Sequence, residues 1–198
     1  MNSNARILVV DDEEDIVREF KRALKSKGYD VAVAYSGEEA WEKYQQQYFD
    51  VVLADWKMGR MNGMDLLEKI DGNAPRSRVI MITAFGDEDS AIEAHHRHAF
   101  DYLKKPVDRE TLLNAVAKAA ALRDPIIEAL EEWVEKHPEE ADEQTHVDFS
   151  NPPQTWSARE MLAEIQGNTE RGREEYKNMM KLTFYLMTRG KIDMGVFA

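Results

Sequence analysis

The chain has 198 residues, of which 43% are hydrophobic, and its formal net charge at pH 7 is -12. It contains no cysteine, which excludes disulfide bonds and thiolate metal sites and suits a cytoplasmic protein. No apolar run approaches the roughly 18 residues of a membrane helix, and the acidic charge argues against general binding to nucleic acid or to an anionic membrane. We therefore expect a cytoplasmic protein whose partners include neither a membrane nor a nucleic acid.

Short β-rich runs alternate with amphipathic helical stretches through the first part of the chain. We predict strands over residues 6–10, 30–34, 50–55, 78–82 and 100–103. Helices are predicted in the intervals that end near Gly28, Gln47, Gly72, Arg97 and Ala120. This alternation predicts an α/β fold with a doubly wound, five-stranded parallel sheet and helices on both faces.

The sequence changes character after Arg123, and the residues from Asp124 onward carry eight of the twelve net negative charges. We predict four parts: a first domain over 1–123, an acidic amphipathic helix over 124–137, a linker over 138–156 and a helical C-terminal region over 157–198. In the last part, an apolar stripe between Tyr176 and Met187 predicts packing against a neighbouring helix or a dimer mate. An adaptable groove for another protein is the alternative.

Polar side chains collect where the predicted strands end, namely Asp11, Asp12, Asp55, Thr83 and Lys105. In parallel sheets such ends meet at one edge, where ligands bind. Three carboxylates there repel one another unless a cation is bound, and Mg²⁺ is the natural hard dication for oxygen ligands. A lysine and a threonine hydroxyl can hold an anion beside it. The pattern predicts an aspartate that attacks a phosphoryl group and carries it as an acyl phosphate.

Taken together, these motifs resemble the receiver domain of two-component response regulators, with closest similarity to receivers of the NtrC type. The resemblance covers about residues 5–122 and rests on the acidic pair, the strand-end aspartate, Thr83-Ala84-Phe85-Gly86, and Asp101-Tyr102-Leu103-Lys104-Lys105-Pro106. It implies the flavodoxin-like receiver fold over 1–123, followed by an α-helical C-terminal extension that resembles no known output domain.

The resemblance also implies a metal and phosphorylation site. Asp55 would be phosphorylated, and Asp12 and Asp55 would bind Mg²⁺ (or Mn²⁺) directly together with the backbone carbonyl of Lys57. Asp11 would contact the ion through water. We expect the Lys105-Pro106 peptide bond to be cis if the lysine is to be directed back at this site.

Further roles implied by the family concern the phosphoryl group and the switch. Lys105, Thr83 and Ala84 would contact the phosphoryl oxygens. Thr83 and Tyr102 would form the switch pair, with Tyr102 moving inward from an exposed position and altering the surface formed by the predicted helix over 88–97, the fifth strand and the following helix.

The implied function is that of a response regulator. The phosphoryl donor would be a sensor histidine kinase or a phosphotransfer protein, and the output would be a changed protein interaction or homodimerisation. The chain would be a phosphoacceptor with slow self-dephosphorylation, not an enzyme. One departure from the family pattern is Gly59, where proline is usual, and the positions that set acyl-phosphate lifetime are Lys57 and Phe85.

Several alternatives remain open at this stage. A phosphohydrolase of the haloacid-dehalogenase type needs a second carboxylate two residues after its nucleophile, and Lys57 occupies that position. A receiver-fold adaptor or dimerisation module with incidental phosphorylation is a further possibility. His95 and His98 have helical spacing for a metal site, although a polar surface is the simpler interpretation, and the helices over 157–189 lack the basic stripe of a DNA-binding pair.

Overall fold

The structure, a computed structural model, describes residues 5–72, 77–84, 99–122, 124–144, 146–148 and 154–187. The chain divides into two compact units, Met1–Arg123 and Asp124–Ala198. Within the described ranges, none of the helices combines the length and the apolar character that crossing a bilayer requires.

The first unit is built on a five-stranded parallel sheet with the strand order β2-β1-β3-β4-β5. Its strands are β1 (Arg6–Val10), β2 (Asp30–Ala34), β3 (Val51–Asp55), β4 (Arg78–Thr83) and β5 (Asp101–Lys104). The described helices are α1 (Glu14–Lys25), α2 (Gly37–Gln46), α3 (Gly63–Asp71) and α4 (Arg109–Ala120). The predicted flavodoxin-like α/β fold is confirmed, and each strand agrees with its predicted range to within one residue.

Some predictions fall on residues that lie outside the described ranges. These are the helix over 88–97, the position of Phe85, and the histidine cluster at His95, His96 and His98. They stay predictions.

Helices cover both faces of the sheet because its strands are apolar on both faces. All five residues of β3 are buried. Leu53 points into a core shared with α1 and α4, whereas Val52 points into a second core shared with α2 and α3. Side chains alternate along a strand, so a run of consecutive apolar residues can only be buried in the middle layer of three.

The predicted helix boundaries are formed by specific caps. Gly28 adopts a φ of 87°, and α1 ends just before it at Lys25. The Asp108 carboxylate accepts the first free amides of α4, as expected for an N-cap. At α2 only half of the predicted capping box forms: Ser36 accepts the Glu39 amide, but the Glu39 carboxylate accepts the amide of Tyr35, 2.8 Å away.

The second unit contains more regular structure than the sequence indicated. Its elements are α5 (Pro125–Lys136), a short 3-10 helix (Glu140–Asp142), β6 (His146–Asp148), β7 (Gln154–Trp156), α6 (Ala158–Gln166) and α7 (Glu170–Met187). The segment 138–156, predicted as a linker, therefore holds a 3-10 turn and a two-stranded antiparallel ribbon. Backbone pairing satisfies the amides of these short strands, whose sequence has no clear period-2 pattern.

A small core and several polar contacts hold the second unit together. Val134, Ala141 and Ala158 are buried against one another. Asp124 caps α5 through one carboxylate oxygen and accepts the Tyr176 hydroxyl with the other, at 2.5 Å. These contacts tie the start of α5 to the middle of α7.

The apolar stripe of α7 divides into a buried and an exposed part. Tyr176 is buried, in agreement with packing against a neighbouring helix. Met180 and Leu182 are 47% and 56% exposed, so the described part of the unit leaves this part of the stripe largely open to solvent.

Candidate functional site

The sheet register brings the predicted site residues to one edge. Val10 of β1 is paired with Ala54 of β3, so Asp11 and Asp55 follow at the same level. Asp55 is in turn paired with Ile82 of β4, one residue before Thr83. All strands are parallel, and their carboxyl ends therefore face the same side.

Three carboxylates form a compact acidic cluster at this edge. One oxygen from each of Asp11, Asp12 and Asp55 lies within 4.8 Å of the others. The side chains of Asp11 and Asp55 are 1% and 7% exposed, whereas Asp12 is exposed. Two of the three charges are thus removed from water at a distance where like charges repel strongly.

Lys105 supplies the positive charge that faces this cluster. Its ammonium Nζ lies 2.9 Å from Asp11 Oδ2 and 3.0 Å from Asp55 Oδ1. The backbone amide of Lys105 donates to the carbonyl of Thr83, 2.7 Å away, which fixes the start of the side chain beside β4. The Lys105-Pro106 peptide bond is cis, as expected.

Burial and charge shift the protonation equilibria of both partners. Burial raises the pKa of the Asp55 carboxyl, and the charges of Asp11 and Asp12 raise it further, while Lys105 opposes the rise. Burial alone would lower the pKa of the Lys105 ammonium, but its contacts with Asp11 and Asp55 outweigh this and raise the pKa. The lysine is therefore charged at neutral pH.

The donor set suits a hard divalent cation. Asp11 Oδ2 is buried and has no well-directed hydrogen bond to any described residue, although Lys105 is close. Among the described residues, the cluster of Asp11, Asp12 and Asp55 carries more negative charge than the Lys105 ammonium can neutralise. Carboxylate oxygens are the ligands that Mg²⁺ prefers, so the residues present fit such an ion.

The loop after Asp55 is held close to the strand end. The amide of Gly63 donates to the carbonyl of Trp56, 3.1 Å away. A Cβ placed on Gly63 would lie 2.2 Å from the carbonyl oxygen of Asp55, whereas one placed on Gly59 would meet nothing within 4 Å. Lys57 is exposed between these contacts, and its proposed carbonyl contact with a metal stays a prediction.

Thr83, Ala84 and Tyr102 occupy the neighbouring strand ends. Thr83 is buried and Ala84 is exposed, beside a cavity that Lys105 also lines. Tyr102 is half-buried and packs against the core shared with α2 and α3, and this burial raises the pKa of its phenol. The sequence led us to expect an exposed tyrosine, whereas in the structure the Tyr102 ring is already partly buried against this core.

One contact at the site was not predicted from the sequence. Glu13 Oε1 lies 3.3 Å from Lys105 Nζ, so in the described part of the chain it joins Asp11 and Asp55 around the ammonium. The signal available was its position directly after the acidic pair, at the sheet edge where Lys105 also lies.

The chain is similar to known proteins over most of its first unit. The family model for the "Response regulator receiver domain" matches residues 7–117. The chain is 40% identical over 133 residues to the alginate biosynthesis transcriptional regulatory protein AlgB of Pseudomonas aeruginosa, which is 66% of this chain and 30% of that protein. It is 38% identical over 120 residues to the transcriptional regulatory protein ZraR of Escherichia coli, 61% of this chain and 27% of ZraR.

Among solved structures, a response regulator receiver domain protein from Clostridium thermocellum is 39% identical, with a TM-score of 0.55 over 59% of this chain and 94% of that one. The chain spans about 30% of the length of these curated relatives. AlgB and ZraR are named as transcriptional regulators, which counts against our expectation of no nucleic-acid partner and leaves it a prediction. The relatives are of the NtrC type, as the motifs indicated, and this chain belongs to the response regulator receiver family of two-component signalling.

Proposed function

We propose that this chain is a cytoplasmic response regulator that accepts a phosphoryl group on Asp55 from a sensor histidine kinase or a phosphotransfer protein. The new charge on Asp55 changes a protein interaction or self-association. The chain acts as a phosphoacceptor that slowly loses its own phosphoryl group and turns over no other substrate.

The observation that carries the proposal is the position of the Asp55 carboxylate. It ends the central strand β3, is 7% exposed, and lies 3.0 Å from the Lys105 ammonium, close to the Asp11 carboxylate. A carboxylate held in this way is a nucleophile with an adjacent cation to stabilise the charge on a transferring phosphoryl group.

The transfer proceeds by direct displacement. An Asp55 oxygen attacks phosphorus, an O–P bond forms, and the P–N bond to the donor imidazole breaks with its electrons returning to that nitrogen. Lys105 then contacts a phosphoryl oxygen, assisted by the Thr83 hydroxyl and the backbone at Ala84. Mg²⁺, or Mn²⁺ in its place, held by Asp12, Asp55 and the Lys57 carbonyl, with Asp11 acting through water, would offset the negative charge of the phosphoryl group.

A cavity beside the site offers a place for the phosphodonor. It has a volume of about 370 Å³, and its lining residues are Ile16, Glu19, Phe20, Ala84, Lys105, Pro106 and Val107. A cleft with mostly apolar walls that also includes Lys105 suits a protein donor whose apolar surface surrounds its phosphohistidine.

The output rests on a charge-driven rearrangement. A phosphoryl group on Asp55 attracts the Thr83 hydroxyl, and Tyr102 fills the space that this movement leaves. The partner is a protein, a second copy of the chain, or a protein bound by the C-terminal helices, whose Met180 and Leu182 are exposed. That exposed apolar surface also favours a second candidate function, an adaptor or dimerisation module in which phosphorylation is incidental.

The test uses the full chain with phosphoramidate and Mg²⁺ and measures intact mass. The parent should gain the mass of one phosphoryl group, and Asp55→Asn should gain none. Asp15→Asn, which removes an exposed carboxylate at the start of α1, serves as the matched control and should behave as the parent does. Equal uptake by Asp55→Asn and parent would show that another residue is the acceptor. Uptake without any change in mass by light scattering or in partner binding would favour incidental phosphorylation.

A further inference from the structure

Among the described residues, the carboxylates within 4 Å of the Lys105 ammonium are those of Asp11, Asp55 and Glu13. The distances from Nζ are 2.9 Å to Asp11, 3.0 Å to Asp55 and 3.3 Å to Glu13. The first two carboxylates are buried, whereas the Glu13 side chain is 65% exposed. Glu13 therefore contacts the lysine from the solvent side of the site.

The backbone of Glu13 is held in place while its carboxylate is not used locally. Its amide donates to Asp11 Oδ1, 2.9 Å away, and its carbonyl accepts the amide of Val17 in the first turn of α1. Glu13 occupies the N-cap position of α1, yet its side chain makes no capping hydrogen bond. The anchored backbone places the Glu13 carboxylate beside Lys105, and this carboxylate does not cap the helix.

The Lys105 ammonium has three N–H donors and faces these three carboxylates. A phosphoryl group on Asp55 needs one of these donors, so one carboxylate must give up its contact. Asp11 is buried and Asp55 carries the phosphoryl group itself. Glu13 is the longest contact and the one that water can replace at least cost.

We propose that Glu13 is a positioning residue of the phosphoacceptor site, whose carboxylate holds the Lys105 ammonium before transfer and releases it to the phosphoryl group. This inference rests on the function proposed above. The Glu13 charge also has opposite effects on the two ions of the site, because it attracts the divalent cation and repels the phosphoryl anion. A residue needed only for folding would not produce effects of opposite sign.

Three variants of the full chain separate contact from charge. Glu13→Gln removes the charge at nearly constant size, and Glu13→Asp keeps the charge but is one methylene too short for the contact. Glu14→Gln removes a neighbouring exposed carboxylate at the start of α1 and is the matched control. Mg²⁺ affinity is measured from the fluorescence of Trp56, which follows Asp55 directly, and phosphoryl uptake from phosphoramidate by intact mass at saturating Mg²⁺.

Glu13→Gln should weaken Mg²⁺ binding and accelerate phosphoryl uptake, each by about two- to five-fold, the range expected for one exposed charge. Glu13→Asp should keep the parent's Mg²⁺ affinity and show the faster uptake, while Glu14→Gln should match the parent in both.

The inference is overturned if Glu13→Gln equals Glu14→Gln, if both measurements fall together, or if Glu13→Asp takes up the phosphoryl group at the parent's rate. The last result would assign the effect to charge alone. Absence of uptake by the parent would overturn the proposed function as well, whereas normal parental uptake that the Glu13 variants leave unchanged overturns this inference alone.

Discussion

Substitution of Gly63 by alanine should disturb the phosphoacceptor strand directly. The added Cβ would lie 2.2 Å from the Asp55 carbonyl oxygen and 2.7 Å from Met81 Cε. An ordinary van der Waals contact needs a separation about 1 Å longer. Because β3 is fully buried there, its backbone has to shift to make this room. Overpacking of this kind costs about 1–3 kcal/mol, against a gain below about 1 kcal/mol for alanine in a helix. We expect a net loss of about 1–2 kcal/mol from these two opposing contributions.

Gly59→Ala is the matched control, since its Cβ meets nothing within 4 Å. It should be neutral or stabilising by up to about 1 kcal/mol through the unfolded state. Hydrogen exchange of β3 peptides against urea reports on the first unit alone, and phosphoramidate uptake reports on Asp55. The argument would be refuted if the free energy of unfolding of Gly63→Ala lay within about 0.5 kcal/mol of the parent's and uptake were normal. Changes that small are typical of exposed positions and are not expected where a new Cβ clashes with backbone.

For three other substitutions, the structure gives the expected direction of the effect. Lys105→Met leaves the two buried carboxylates without their cation and should lower the free energy of unfolding by about 3 kcal/mol in Mg²⁺-free buffer, measured with urea. Asp124→Ala removes the cap of α5 and the acceptor of Tyr176 and should cost about 1–2 kcal/mol, measured by hydrogen exchange in α5. The Glu39 pKa lies below its ordinary 4.5, chiefly through the Lys43 hydrogen bond, so its stabilisation is present above pH 4.5 and lost as pH falls through the folded-state pKa. Glu39→Gln should therefore approach the parent's stability in acid.

Each of these expectations has a contrasting outcome. Added Mg²⁺ should recover part of the loss in Lys105→Met, and a loss that is the same with and without the ion would contradict the charge argument. Glu128→Ala, an exposed change in the same helix, should leave α5 exchange nearly unaltered, unlike Asp124→Ala. A stability difference between Glu39→Gln and parent that grows toward acid pH would have the wrong sign.

Local signals in the sequence were sufficient for most of the first unit. Strands such as Val51–Asp55 are continuous apolar runs bounded by polar residues, and caps such as Asp108 act on amides two and three residues away. Interactions between residues so close in sequence can be predicted from the local order of residues. The ribbon of β6 and β7 was missed because strands of three residues carry no periodicity and are stabilised only by their pairing.

In the acidic site, too, some features follow from the local sequence and others depend on tertiary contacts. Strand ends placed Asp11, Asp55 and Lys105 at one edge, since any parallel sheet brings such ends together. The contact of Glu13 with Lys105 joins residues 92 positions apart and depends on the rotamers of both side chains. The half-buried state of Tyr102 likewise depends on what packs beside β5.

The sequence by itself determined the fold class, the strand ends and the identity of the phosphoacceptor motif, because these follow from local hydrophobic order and from the topology of parallel sheets. Only the tertiary structure decided which carboxylates share the ammonium of Lys105 and which part of the α7 stripe is covered. The physical reason is separation along the sequence. Contacts between remote segments depend on how the folded elements pack and on the charges they bring together, and no local pattern encodes them.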